Sequence, residues 1–545
     1  MSRGEHLTRR DLLGRLARAG GVAVAAPPLT ALAAACASPS GGSGRTGGTV
    51  SYAISIEPKV LNPPIHNLAI ESTVMSAIFS GLVRARSDGT LEPDLAASYQ
   101  VQDGGMTYRF SLRPGLRWQD GAPLTSADFL FTYRTYVDPK TKTAFLLGWD
   151  KIDRVETPDA QTVVYRMREQ FAPFLLFVGG NPVLPEHALA GTADIRQDPF
   201  NRAPIGSGPF QVKDWQTASR ISLEANPHYW RGRPGLDRLV FQIVPDATAQ
   251  INQLQAGEVD IISVGQTAQW DQVKAMAPDV AAVSYDDTRY VLVQLDQYGA
   301  LKEVPVRQAL DYATPKQDIV RGILRGLATV AYADVPPASA YYSANVERHT
   351  YDLDRARSLL QGAGFTMQNG VMVRNGQPLH VPIYTISSSP TYIQVAQVLE
   401  DSWSKIGVRT DVTTMEATTL FSDKGPQWNG GDAALIFSWG QGTDPYNYVN
   451  WSSRQIPNDE NDPGENAERY ANPTIDDLVV QGGRETDVAK RRQVYAQIQR
   501  ILAHDVPVIF LYWPKALYAH RSGVHGFQPN AFAGELNEVW AWTKS

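Results

Sequence analysis

The chain has 545 residues, 43% of them hydrophobic and 19% charged, and 50 basic against 56 acidic side chains give it a net charge of −6. That balance argues against a nucleic-acid partner, which needs basic patches, and against a polybasic membrane surface. A single cysteine, Cys36, excludes an intrachain disulfide, and a chain of this length divides into two or more lobes.

Residues 1–35 read as an export signal. Arg3, Arg9, Arg10, Arg15 and Arg18 form a basic start, and "GGVAVAAPPLTALAAA" (20–35) is an uncharged stretch too short and too broken by Pro27-Pro28 to span a membrane. Within it "TRRDLLG", with Arg9 and Arg10 paired ahead of a hydrophobic step, resembles a twin-arginine signal; an ordinary Sec signal is the alternative. Cys36 resembles the acceptor cysteine of a bacterial lipoprotein. Ala34 and Ala35 fit that box, while Leu32 stands one place early. The other reading is cleavage after an A-x-A with a bystander cysteine. A diacylglycerol on Cys36 would anchor the protein, each buried CH2 contributing roughly 0.8 kcal/mol. Residues 37–48, "ASPSGGSGRTGG", form a flexible leash that reaches about 40 Å when extended. No apolar run of spanning length follows; "FLLFV" and "VPVIFLYW" suit buried strands.

The body alternates strand and helix. "TYRFSLR" (107–113) puts Tyr108, Phe110 and Leu112 on one face and predicts a half-buried strand. Thr125 with Asp128 predicts a helix start, running to about Tyr136. Asp246 caps "ATAQINQLQA", Gly257 ends it, and "VDIIS" follows as a strand. Asp352 opens a helix whose Ala356, Leu359, Leu360 and Ala363 share a face, with Gly364 as its stop. Ile393, Ala396, Leu399, Trp403 and Ile406 make the next stripe; Gly407 ends it and "VRTDVTT" is a strand. "DVAKRRQVYAQIQRILAHD" is the last helix, before "VPVIFLYW". This alternation argues an α/β architecture with helices on the sheet faces.

The chain has no phosphate-binding loop, no H-E-x-x-H, no C-x-x-C and no G-x-S-x-G. "IGSGPF" (205–210) reads as a sharp backbone turn. His520 and His525 have a poor single-face spacing for a metal and read as surface loop. His504 at a helix C-terminus is explained by the helix dipole. Asp286-Asp287 and Asp476-Asp477 read as solvated turns or helix starts.

"AIFSGLVRARSDGTLEPDLAASYQVQDGGMTYRFSLRPGLRWQDGAPLTSADFLFTY" (77–133) resembles the signature region of family 5 extracellular solute-binding proteins, the peptide- and nickel-type receptors of ABC importers. "PIGSGPFQV", "NPHYWRGRPGLDRLVFQIVPDATAQINQLQAGEVDI", "VRQALDYAT" and "YDLDRARSLLQGAGF" follow in the family's order, and the similarity extends over residues 50–542. The resemblance implies a two-lobed periplasmic-binding-protein-like fold with a hinge. Its discontinuous first lobe would comprise 49–83, 201–285 and 506–545, with an inserted subdomain at 84–200, and its second lobe 286–505. It further implies a monomer without cofactor or catalytic residues that captures a short peptide or similar-sized solute and hands it to ABC permease subunits, at the outer face of the membrane or in the periplasm.

In peptide-binding relatives a lobe-two tryptophan is followed three residues later by an aspartate that holds the ligand's α-ammonium. In "SWGQGTDPYNYVN" (438–450) Trp439 fits the tryptophan, but Gly442 stands where the acid would be, and Asp444 lies two further on. The resemblance makes Trp439, Gly440, Gly442, Asp444 and Tyr446 ligand-binding candidates. In "LNPPIHNLAIES" it adds Asn67, Leu68 and Ala69, and in "YTISSSP" Tyr384 and Ser388. Gly442 moves weight toward a non-peptide cargo, such as an oligosaccharide, an opine-like compound or a metal chelate. A lipid-anchored hydrolase on a binding fold is the competing class, and no nucleophile–base pair supports it. Replacing the proposed tether, Cys36→Ser, is expected to move the protein from the membrane pellet to the soluble fraction; retention in the pellet would refute the tether.

Overall fold

Val508–Trp513 is an unbroken apolar run, and in the computed structural model it is buried throughout. The structure describes residues 47–422, 424–429, 431–440, 442–457 and 464–545; Arg9, Arg10 and Cys36 lie outside them. The apolar run opens a longer strand, Val508–Arg521, on which a 12-stranded sheet is built. Its first half pairs antiparallel with Arg289–Leu295 and Ala328–Val330, its second with Ile261–Ser263 and Val280–Asp286. On one side the sheet continues through Ala434–Gly440, Ile383–Ile386 and Val412–Met415. On the other it continues through Thr49–Ile54, Arg238–Ile243, Arg220–Ala225 and Phe210–Gln216.

Each half of the sheet is covered on both faces. Beyond strand 289–295, Val293, Leu295, Ala434 and Ile436 pack under Ala356, Leu360, Leu399 and Trp403. The opposite face sets Tyr290, Leu435, Phe437 and Phe510 against Ile475, Val479, Tyr495 and Ile498 of helices Pro473–Arg484 and Val488–Asp505. In the other half Val50, Tyr52, Leu239 and Phe241 pack on Val74 and Ile78 of helix Ala69–Ile78. Ala53 and Ile262 meet Ile251 and Leu254 on the far face. Strict alternation explains these assignments, since neighbouring strand residues point to opposite faces. It breaks once. Between Val291 and Leu292 the partner changes from Tyr512 to Phe510, so Leu511 is an extra residue. This bulge inverts the faces: Ile509, Leu511 and Tyr512 join one core, and Val508, Phe510 and Trp513 the other.

Residues between 82 and 183 form a separate core around a four-stranded antiparallel sheet, Ala96–Gln102, Thr107–Leu112, Thr162–Met167 and Ile152–Asp159. A ladder of alternating guanidinium and indole groups fastens this insert to the 210–243 half. Arg113 and Arg231 lie 3.8 and 4.2 Å from the Trp230 ring, and Arg231 and Arg84 lie 4.9 and 4.5 Å from the Trp540 ring. Such contacts strengthen when shielded from water.

The local signals formed the elements expected of them. Thr125 and Asp128 close a capping box on helix Ser126–Val137. Asp246 accepts from the Ala249 N–H, and Gly257 ends that helix with φ at 79°. Asp352 caps Leu353–Gly362, and Gly364 takes φ +87°. Four readings change. "FLLFV" (174–178) is not a strand: it is helical and runs into the wide turn Leu175–Gly179. Asp286 ends strand Val280–Asp286 and Asp287 is buried beside it, so the pair is not a solvated turn. His520 is not in a loop: it pairs with Ile261 and Ala281 inside strand 508–521 and is half-buried against Phe527. Pro514 and Lys515, which interrupt the apolar run, hid that continuation. The glycines of "IGSGPF" serve close approach. A Cβ on Gly206 would stand 2.0 Å from the Ile78 carbonyl oxygen, and the Gly208 N–H donates to that same oxygen at 2.8 Å. Gly206→Ala is expected to cost ~1–3 kcal/mol in urea denaturation, whereas Gly191→Ala, with nothing within 4 Å of its Cβ, leaves the midpoint unchanged.

Candidate functional site

A cavity lies between the insert and the 289–505 half. Its volume is about 650 Å3, within the range of small-molecule sites. The insert supplies Leu91, Tyr99, Val101 and Pro173, the opposite wall Tyr341, Asp444, Glu485 and Arg491, and Phe532 closes one end. The two walls touch. The Ala172 N–H donates to the Gly483 carbonyl at 2.8 Å, and Arg484 pairs with Glu169 at 3.1 Å. The Phe171 and Tyr446 rings meet edge-on at 5.4 Å. Gly483 and Gly105 permit this approach, because a Cβ on either would fall 2.6 Å from Tyr446 or 2.9 Å from the Thr486 methyl. A second cavity of about 430 Å3 shares Leu91, Leu176 and Phe532 with the first, and runs between the insert and helix 69–78.

Arg491 organises the lobe wall. Its Nη1 and Nη2 each donate to one oxygen of Asp444 at 2.6 Å, its Nε donates to the Gly482 carbonyl at 2.8 Å, and Nη1 also reaches the Tyr341 hydroxyl at 3.2 Å. The pair is nearly dry, with side chains 5% and 11% exposed. Burial opposes the guanidinium charge, but the hydrogen bonds and charge of Asp444 outweigh it and raise the Arg491 pKa further. Both Asp444 oxygens are thus occupied; one also accepts from the Tyr446 N–H at 2.9 Å.

The remaining sequence candidates fall into three groups. Strands 383–386, 412–415 and 434–440 run parallel, and the crevice beyond the carboxyl ends of parallel strands is a common ligand position. Tyr384 and Trp439 stand near those ends, half-buried against the same core as Tyr448 and Met415. Gly440 pairs with Arg289, and Gly442 has φ +68° with nothing within 4 Å of its Cβ position. Ser388 is exposed between Ser387, which donates to Glu416 at 2.8 Å, and Ser389, which caps helix Pro390–Ser404. None of these lines the 650 Å3 cavity, whereas Asp444 does. Tyr446 lines a smaller cleft of about 240 Å3 on the far side of the Phe171 contact, with Lys151, Glu169 and Arg484.

On the opposite side, Asn67, Leu68 and Ala69 are shaped by Glu71. Its buried carboxylate accepts N–H groups from Lys59, Val60, Asn67 and Leu68 at 2.8–3.1 Å. Burial raises the Glu71 pKa, but these four donors outweigh it and hold the carboxyl below its ordinary range. Asn67 and Ala69 are exposed. Their neighbour His66 lines the second cavity and stacks on Phe145 at 4.3 Å. Desolvation pushes its imidazole pKa down, against a hydrogen bond to the Pro63 carbonyl.

Tyr341, Glu485, Arg491 and Phe532 escaped the sequence reading, because the cavity gathers segments that no local pattern links. One signal was present. Arg491, Val494, Tyr495 and Ile498 share the buried face of helix 488–505, and a charge on that face needs a partner. Among the described residues, no cluster of three or more His, Cys, Asp or Glu can hold a metal ion, and no helix is long and apolar enough to cross a membrane.

Comparison with known proteins follows the same outline. The sequence pattern described as bacterial extracellular solute-binding proteins, family 5 (middle), matches residues 90–459. The oligopeptide-binding protein AppA of Bacillus subtilis is 28% identical over 502 residues, 90% of this chain and 90% of AppA. Heme-binding protein A of Haemophilus influenzae is 28% identical over 472 residues, 81% of this chain and 83% of that protein. The structure of Bacillus subtilis AppA in complex with a nonapeptide matches with a TM-score of 0.78 at 26% identity, over 92% of this chain and 100% of AppA. NikZ from Campylobacter jejuni, in complex with Ni(L-His), shares the fold with a TM-score of 0.79 at 24% identity, over 91% of this chain and 99% of NikZ.

Removing the guanidinium would strand Asp444 in a dry wall. Arg491→Met is expected to cost ~3–5 kcal/mol in chemical denaturation. Adding Asp444→Asn to that variant should recover much of the loss, and failure to recover any would show that the pair is not coupled.

Proposed function

We propose, from the fact that this chain belongs to the family 5 bacterial extracellular solute-binding proteins, that it captures a solute between two lobes and delivers it to an ABC transporter permease. The observation that carries this reading is a 650 Å3 cavity walled by segments from both sides of the sheet. Two chain passages cross between those sides, at Asp286–Arg289 and at Pro514. We assign 49–83, 201–285 and 514–545 to the first lobe, 84–200 to its inserted subdomain and 286–513 to the second. The last crossing moves from 506 to Pro514 because 508–513 pair and pack with strand 289–295. A solute bridging both walls stabilises the closed arrangement by its differential contacts, and no bond need be made or broken.

Tyr384, Ser388, Trp439, Gly440 and Gly442 of the second lobe and Asn67, Leu68 and Ala69 of the first lie outside that cavity, and in this reading they meet only a cargo that extends beyond it. Asp444 acts as a strut through Arg491. The cargo is of oligopeptide size; the nonapeptide held by AppA is a precedent for that protein. A non-peptide cargo, an oligosaccharide or metal chelate, is the second reading, favoured by Gly442 and by the commitment of both Asp444 oxygens. The protein works as a monomer, exported through the twin-arginine route and tethered by Cys36 at the outer face of the membrane.

Native mass spectrometry of the purified full chain is expected to show one bound solute of constant mass over a day. Small-angle scattering should give a larger radius of gyration once that solute is removed by partial unfolding and refolding. Conversion of the solute to product would overturn the reading, and so would solute-free protein that no oligopeptide, oligosaccharide or chelate mixture compacts.

A further inference from the structure

We propose that the 650 Å3 cavity selects a solute with a cationic head and an apolar body, and that Glu485 is the residue that reads the charge. The proposal rests on the solute-capture reading and narrows its cargo. It follows from which polar groups of the cavity already have partners. Asp444 and Arg491 neutralise each other through two hydrogen bonds of 2.6 Å. The Tyr341 ring is also engaged, with the Arg491 guanidinium 5.1 Å from its centre. Glu485 is different. One of its oxygens accepts the Asp487 N–H at 2.8 Å, and the other has no hydrogen-bond or ion-pair partner among the described residues. The side chain is half-buried at the C-terminal end of helix 473–484. Across the cavity, Asp88 likewise spends one oxygen on the Thr90 N–H and hydroxyl and keeps the other.

Opposing these acids, Arg492 lines the cavity with no ion-pair partner among the described residues, and it is solvent-exposed. An anionic group entering the cavity would therefore meet two carboxylates with spare oxygens and one solvent-exposed cation. A cationic group meets the reverse: a half-buried carboxylate poised for a charge-assisted hydrogen bond. The apolar body is accommodated by Leu91, Tyr99, Val101, Val488 and Phe532. Of these, Val101 and Val488 are 45% and 53% exposed and offer apolar surface that such a body would cover.

The test uses two probes that differ in one charge, acetyl-Leu-Lys-Leu-amide and the same peptide acetylated on the lysine amine. Calorimetry on the full chain at low salt is expected to show the lysine form binding at least about tenfold more tightly, the ratio shrinking at high salt. Glu485→Gln should bring the two affinities together, while Glu485→Asp retains part of the preference; circular dichroism checks that each variant is folded. Equal or reversed affinities in the parent protein would overturn the proposal, as would a preference that survives Glu485→Gln, or failure of both peptides to bind. Solute retained in native mass spectra of the same preparation would then show that capture stands and only the cation preference falls; empty, unresponsive protein would sink both.

Discussion

Strand 508–521 belongs to both halves of the sheet at once, and the rest of the molecule is arranged by that constraint. A strand can satisfy its backbone groups on two edges only. Here strands from one half occupy residues 508–514, and strands from the other occupy 515–521. The junction carries its own fittings. The Asp287 N–H donates to the Pro514 carbonyl at 3.0 Å, and Lys515 pairs with Asp286 and Arg289 with Asp287. The bulge at Leu511 inverts the side-chain faces just before the crossing. Two cores on either side of one sheet thus become two separately filled bodies joined by a narrow passage. In the proposed function, that passage is where the lobes move.

The cavity is the consequence of how those bodies meet. The insert is fastened to the 210–243 half by stacked arginines and tryptophans, and it touches the other half through a few contacts around Gly483 and Phe171. Between the fastening and the touch, space is left. Its second-lobe wall is stiffened by internally satisfied charge, Asp444 with Arg491. Buried charge is tolerated in such walls only when its hydrogen bonds are complete. The groups with spare capacity, Glu485 above all, are therefore the ones with something left to offer a guest.

Residues with local work to do were legible in the chain. Thr125 with Asp128, Asp246 with Gly257, and Asp352 with Gly364 act within a few residues, and periodicity alone placed Leu360, Leu399 and Trp403 in a core. The whole-chain resemblance supplied the family, and through it the expectation of a cleft. It was less informative about the site. Asp444 was read as a candidate ligand group because its sequence neighbourhood suggests one. Its partner Arg491 lies 47 positions away, on helix 488–505, so nothing near Asp444 indicates that both its oxygens are spoken for.

The sequence by itself determined the helices and their caps, the alternating strands and membership of a solute-binding family, because propensity, capping and periodicity act over short stretches and recur in relatives. Tertiary structure alone decided that His520 is in a strand, that Gly206 must be glycine, and which carboxylates in the cavity are free. Those properties depend on what stands opposite a residue in space, and a hydrogen bond or a steric clash between distant segments leaves no mark on the order in which they are joined.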